Sequence, residues 1–198
     1  MIMSRYIQRT TLLATATLML GACVSFGGKA PPSMLVLTAD NNVANGTSKS
    51  GGSGDAMIVL LPEAPRKLDN NRVPVQVDDS SIAYIKDAVW ADKPTRLMQM
   101  LLMETISAKS NRLVLNETDA GGKAQFYLSG SLLEFGVDAS ASEAVVVYDA
   151  VKINRGKDVE KKRFESRKPV TAVDAVEAGR ALNAAANDVA VQVSDWIG

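Results

Sequence analysis

Residues Ile82–Ile106, IAYIKDAVWADKPTRLMQMLLMETI, constrain the fold more than any other stretch, because the apolar period changes there across one short corner. Ile82, Tyr84 and Lys86 alternate with Ala83, Ile85 and Asp87, as residues on opposite faces of a strand do. Trp90-Ala91-Asp92-Lys93-Pro94 then turns the chain. Pro94 suits the first helical turn, where its missing N–H is not needed. Asp92 stands just ahead, where a carboxylate is expected to cap free amides and meet the positive end of the helix dipole. From Thr95 to Lys109, about 100° per residue gathers Leu97, Met98, Leu101, Leu102, Thr105 and Ala108 on one face, with Ile106 at its edge. Arg96, Gln99, Met100 and Met103 fall on the other. Two readings of those methionines stand side by side. Both helix faces are covered within the domain, or Arg96, Met100 and Met103 form a soft contact surface for a partner, a use the flexible thioether suits.

The segments around this stretch supply its sheet. Met34–Thr38 reads as a first strand, and Met57–Leu61, ended by Pro62, as a buried one. Between them, residues 39–56 are rich in Gly, Asn and Ser without hydrophobic period and read as a flexible loop. Arg72–Val75 leads to a turn at Asp78–Ser81. Asp78 and Asp79 make a poor carboxylate dyad, since adjacent strand residues point apart. Arg112–Asn116 gives a short strand, and residues 120–123 a turn. Gly122-Lys123 lacks the spacing of a phosphate loop.

Gln125–Val137 is a long strand whose phase breaks. Phe126, Leu128, Gly130 and Leu132 share one face, whereas Leu133, Phe135 and Val137 take the other, which predicts a bulge near Leu132-Leu133. Ala144–Ile153, nearly continuous in β formers, reads as a central strand, and the charged run Val159–Arg167 as a solvated edge strand. Thr171–Asp174 carries a capping signature. After it, Ala175, Ala178, Leu182, Ala185, Val189, Val193 and Trp196 recur at helical spacing. The expected fold class is α+β, a mostly antiparallel sheet of about six strands with two main helices packed on one face.

The N-terminus reads differently. Arg5 and Arg9 precede an apolar run of 12 residues, Thr10–Gly21, too short to span a bilayer, which takes about 20 residues. It reads as a cleaved signal segment. Leu20-Gly21-Ala22-Cys23 resembles the lipobox of bacterial lipoproteins. That resemblance implies cleavage between Ala22 and Cys23, acylation of Cys23 and stable membrane anchoring by several buried chains. Val24 follows where an inner-membrane retention signal would put Asp, so the resemblance implies the outer membrane, facing the periplasm. The expected organisation is a signal at residues 1–22, a lipidated tether at 23–33 and one domain over 34–198.

Composition then removes whole classes of chemistry. The chain has no histidine, and Cys23 is its one cysteine. A histidine-based triad, a His-ligated metal and an intramolecular disulfide are excluded. Removing the first 22 residues takes Arg5 and Arg9 with it and leaves a net charge of −2, so no nucleic-acid partner is expected. No metal or cofactor is expected either.

Tyr84, the Ala88-Val89-Trp90-Ala91-Asp92 corner and the Leu97/Leu101/Leu102/Glu104 helix resemble the auxiliary lipoproteins of ABC-type transport systems. Among these is the PqiC type, which accompanies MCE-domain lipid transporters. Pro62, Leu68-Asp69, Arg72-Val73, Phe135 and Phe164 match that family's spacing over roughly Met34–Ile197. The long Gly/Ser loop depart from it, as do Asn70 and Asn71, where a Thr is common. The resemblance implies a non-enzymatic protein that docks onto an MCE-type substrate-binding subunit and aids movement of lipid or another hydrophobic compound across the envelope. Tyr84, Trp90, Ala91 and Asp92 are read as structural. A homo-oligomer is left open, as is the alternative of a lipoprotein regulator binding a peptidoglycan synthase.

Overall fold

The computed structural model of the protein describes residues 33–52, 54–119 and 124–198. The signal segment, Cys23, the tether through residue 32 and the turn at 120–123 lie outside the described residues. The elements are β1 (Met57–Val59), a 3-10 turn (Arg66–Leu68), β2 (Arg72–Asp78), β3 (Ser81–Val89), α1 (Pro94–Lys109), β4 (Val114–Leu115), β5 (Phe126–Asp138), β6 (Glu143–Asn154), β7 (Val159–Pro169) and α2 (Ala175–Ile197). The fold is α+β, with both helices on one face of a seven-stranded sheet.

β5 organises the sheet. Along one edge it pairs antiparallel with β6 over its whole length, and β7 closes that side antiparallel to β6. Two strands share its other edge. β1 runs parallel to the beginning of β5, and β2 runs parallel to its end through Val75–Val137 and Gln76–Asp138. β4 flanks β1 in parallel, and β3 flanks β2 antiparallel. The sheet is therefore mixed and one strand larger than the expected, mostly antiparallel one. The parallel pairs join strands that are not consecutive in the chain, β1 with β4 and β5 and β2 with β5, whereas β5, reached through α1, runs in the opposite sense to β3.

The phase break in β5 is a bulge. Leu132 pairs with Tyr148 and Glu134 with Val147, which leaves Leu133 as the extra residue. Leu128 and Leu132 before it, and Phe135 and Val137 after it, all point into the core. β3 contains a larger irregularity. Val89 lies opposite Arg72 and Tyr84 opposite Pro74, so the intervening β3 residues loop out, with Asp87 at φ 60°. Ile85, Ala88 and Trp90 consequently face inward, in place of strict alternation.

Three expectations about local structure are corrected. Met34–Thr38 is not a sheet strand. Leu35 makes a single bridge to Trp90, and the chain then leaves the sheet because side chains of α2 bind its backbone: Asn183 Oδ1 accepts from the Thr38 N–H and Asn187 Oδ1 from the Asp40 N–H, each at 2.8 Å. Asp92 does not cap α1; Lys93 occupies the cap position, and among the described residues the Asp92 carboxylate accepts only from the Lys93 N–H, at 2.7 Å. For α2 the cap is Asp174 rather than Thr171. The Asp174 carboxylate accepts from the Val176 and Glu177 N–H groups, while Thr171 Oγ1 donates to Glu177 Oε2 at 3.1 Å. Residues 39–52 contain no strand or helix, yet they are tied to α1: Val43 N–H donates to Glu104 Oε1 at 2.7 Å, and Lys49 Nζ donates to the Ser107 and Ser110 carbonyls.

The core lies between sheet and helices. Leu128, Leu132, Phe135, Val146 and Tyr148 from the sheet meet Met98 and Leu102 of α1 and Leu182 and Val189 of α2, all essentially inaccessible. Small residues on α2 (Ala178, Ala181, Ala185, Ala186) let it approach closely. Gln99, expected on the outer face of α1, is buried and donates to the Val59 carbonyl at 2.8 Å. Ala108, expected inside, is exposed.

Candidate functional site on the open face of the sheet

With both helices on one face, the other face of the sheet carries no covering layer among the described residues. Strand alternation decides what it presents. In β6, Ala144, Val146, Tyr148 and Ala150 face the helices, so Val145, Val147 and Asp149 face outward. Cross-strand pairing sets Arg167 beside Val145, Glu165 beside Val147 and Arg163 beside Asp149. From β5, Glu134 stands opposite Val147 and Gly136 opposite Val145.

A cleft of about 490 Å³ opens on this face, where the β2–β3 hairpin stands beside β5. Pro74, Val145 and Ile82 supply its apolar walls; Lys67, Glu134, Asp138 and Arg167 supply charge. Gly136 is required by close approach: a Cβ there would lie 2.4 Å from the Pro74 carbonyl oxygen.

The charges are organised in pairs. Lys67 Nζ meets Glu134 Oε2 at 2.5 Å. Arg167 reaches Glu165 at 2.5 Å, Glu143 at 3.3 Å and Asp138 at 3.8 Å. Its guanidinium is held more firmly protonated, first by the Glu165 hydrogen bond. Hydrogen bonds from Ser140 and Ala141 hold the Asp138 carboxyl below the usual range. Outside the cleft, Asp149 is clamped by Arg163 and Lys161, and the Arg163 hydrogen bonds chiefly bring its pKa down to about 2. A proton donor near neutrality needs a raised carboxyl pKa; Asp138 and Asp149 are shifted the opposite way. The arrangement suits recognition of a polypeptide with apolar and charged side chains.

The residues singled out in the sequence lie elsewhere. Trp90 is fully buried, its ring 5.3 Å from that of Phe135. Its backbone N–H donates to the Asn71 carbonyl, and the Ala91 N–H donates to the Leu35 carbonyl. Tyr84 is half-buried under the Arg72 guanidinium, 4.4 Å from the ring centroid, and its hydroxyl donates to the Lys67 carbonyl. Arg96 and Met100 are exposed on α1, Met100 by 54%, whereas Met103 is half-buried against the core. Arg96 donates to Gln99 Oε1 at 2.7 Å. None of these lines the cleft. Cys23 and Ala22 lie outside the described residues.

The cleft residues escaped the sequence reading because they come from five separated segments. One signal was present: Arg163, Glu165 and Arg167 alternate in β7, which marks one face of that strand as charged. Among the described residues no His, Cys, Asp and Glu cluster is arranged to hold a metal ion, and no helix is long and apolar enough to cross a membrane.

Comparison with known proteins bears on this architecture. A crystal structure of a Xanthomonas campestris protein of family DUF330 superposes with a TM-score of 0.68 at 17% identity, covering 83% of this chain and 94% of the other. A second crystal structure, of an uncharacterized protein, gives 0.64 at 15% identity, covering 73% and 94%. At these identities the likeness concerns the fold. No curated protein matches in sequence. The family model for the ABC-type transport auxiliary lipoprotein component matches residues 37–194.

Proposed function

The chain belongs to the family of ABC-type transport auxiliary lipoprotein components, and we propose that it is a non-catalytic, lipid-anchored docking component of such a system. Membership of a lipoprotein family places it in the cell envelope. In the proposed reading Cys23 carries the acyl chains, Val24 directs the protein to the outer membrane, and the folded domain faces the periplasm. The partner is an MCE-domain substrate-binding subunit, and the cargo a lipid or another hydrophobic compound.

The observation that carries the reading is the family match across nearly the whole described domain. The open sheet face supports a docking role. Its cleft joins an apolar floor to Lys67, Glu134 and Arg167 at the margin, the combination of apolar centre and polar rim found where proteins meet. The chemistry of the carboxylates supports a non-catalytic role, since Glu134 is engaged by Lys67 and Asp138 is held ionised.

A photo-crosslinking side chain at Ile82, used in the native envelope, tests the docking surface. Capture of a substrate-binding subunit of an ABC transporter is expected. Capture of a peptidoglycan synthase instead would overturn the transport reading. In parallel, Cys23→Ser should move the protein from the membrane to the soluble fraction, and unchanged fractionation would refute the anchor.

A further inference from the structure

Residues 34–40 run extended beside α2, and their contacts give the register. Leu35 lies against Gly179, where a Cβ would meet Leu35 Cδ2 at 2.7 Å. Thr38 is bonded to Asn183, and Asp40 to Asn187. Two or three residues of the strap thus match each turn of helix. Continued backward, this register sets Met34 beside the first turn of α2, which carries Val176.

Alternation decides which side chains turn outward. Leu35, Leu37 and Ala39 pack on the core, whereas Met34 and Val36 are exposed by 60% and 58%. Val173 and Val176, at the start of α2, are exposed by 47% and 77%. By this register, four of the nine exposed large hydrophobic side chains among the described residues fall at the end of the molecule where α2 begins. Single exposed valines are ordinary; a group of four where the chain enters the domain marks a contact surface. The polar neighbours are already engaged: Asp174 caps α2, and Glu177 binds Arg180 and Thr171.

The length of chain before the domain indicates what covers this surface. Cys23 precedes Ser33, the first described residue, by ten positions, a span of at most about 35 Å when extended. α2 runs away from this end for 23 residues, about 35 Å, carrying Trp196 to the far end. The Met34–Val176 end is thus the part of the domain held closest to an anchor on Cys23. Its exposed apolar side chains are aliphatic, without the aromatic anchors that dominate protein interfaces, and its arginine, Arg180, is held by Glu177. We propose that this end rests on the lipid surface holding the anchor, with Met34, Val36, Val173 and Val176 entering the interfacial layer. The proposal rests on acylation of Cys23. It gives the domain a fixed orientation, with the α2 C-terminus pointing into the aqueous compartment.

The test uses the full-length protein purified from membranes and reconstituted in phosphatidylethanolamine–phosphatidylglycerol vesicles containing a nitroxide-labelled lipid. Val176→Cys and Val159→Cys variants carry an environment-sensitive fluorophore; Val159, 69% exposed, begins β7 at the opposite end. Intact mass reports acylation of Cys23 in each sample. The expected result is acylated protein with blue-shifted emission and severalfold stronger nitroxide quenching at position 176 than at 159. Acylated protein with equal quenching at both positions would overturn the orientation while leaving the anchor intact. A blue shift at 176 without quenching would assign the surface to contact with another copy of the protein and also overturn it. Protein without acyl chains would overturn the anchor, and the orientation with it.

Discussion

Asp149 and Arg163 form a two-pronged ion pair on the outer face of the sheet: Nε of the arginine donates to Oδ1 at 2.6 Å and a terminal nitrogen to Oδ2 at 2.9 Å. Lys161 adds a third contact at 3.1 Å. The carboxylate side chain is only 8% exposed, whereas both cations are more than 60% exposed. The pair joins β6 to the edge strand β7, so its loss should loosen that edge.

The pH dependence follows from the depressed pKa of Asp149, about 2 against an ordinary 3.8. A carboxyl that binds its proton less readily when folded stabilises the fold above its ordinary pKa. That contribution falls away as pH drops from about 4 through 2. Asp149→Asn should cost about 1–2 kcal/mol at neutral pH, between the values for a buried charged hydrogen bond and an exposed pair. Urea unfolding of both proteins across pH 7 to 2 checks this, with the two midpoints expected to converge at the acid end.

Trp90 should act through packing alone. Its Nε1 has no hydrogen-bond partner among the described residues, so replacing the ring loses contact without losing a polar bond. Trp90→Ala should destabilise the domain by about 3–5 kcal/mol. Trp90→Phe, which also removes an unpaired buried donor, should cost much less. Thermal and urea denaturation of the two variants measure the difference.

The strap beside α2 depends on Asn187, which is 3% exposed. Its amide donates to the Thr38 and Asn183 carbonyls, both at 2.9 Å, while its oxygen accepts from Asp40. Asn187→Ala should cost about 1–2 kcal/mol, and hydrogen exchange should accelerate at Asp40. Asn187→Asp keeps an acceptor for the Asp40 N–H but sets a carboxylate against the Thr38 carbonyl. It should protect Asp40 better than Ala does.

Arg167 separates docking from stability. Its side chain is 44% exposed at the cleft margin, and exposed ion pairs are worth about 0–1 kcal/mol. Arg167→Gln should leave the unfolding midpoint close to that of the parent. If the cleft is the docking surface, the same change should weaken partner capture roughly tenfold or more, as loss of an interface arginine does.

Much of the fold was legible because its determinants are local. The Leu132-Leu133 phase break predicted the β5 bulge, since side-chain alternation cannot change phase without an extra residue. The strand, Trp90 corner and Pro94-initiated helix were legible for the same reason. Within the corner, however, Asp92 missed the cap: Lys93 took that position, and among the described residues the Asp92 carboxylate reached only the Lys93 N–H. Capping depends on backbone angles that composition does not specify.

What the sequence by itself determined is therefore the two helices and the strand segments of the sheet, though not the place of Met34–Thr38, together with the charged character of the β7 edge, the exclusion of histidine chemistry and the lipobox-like start. Tertiary structure alone decided how β1 and β2 share one edge of β5, why Met34–Thr38 lies on α2 rather than in the sheet, and how Lys67, Ile82, Glu134 and Arg167 meet in one cleft. The physical reason is separation along the chain. Periodicity reports which face of an element is buried, but not which distant element covers it. Thr38 and Asn183 are 145 positions apart and Lys67 and Glu134 are 67 apart, so folding had to bring each pair together before either could act.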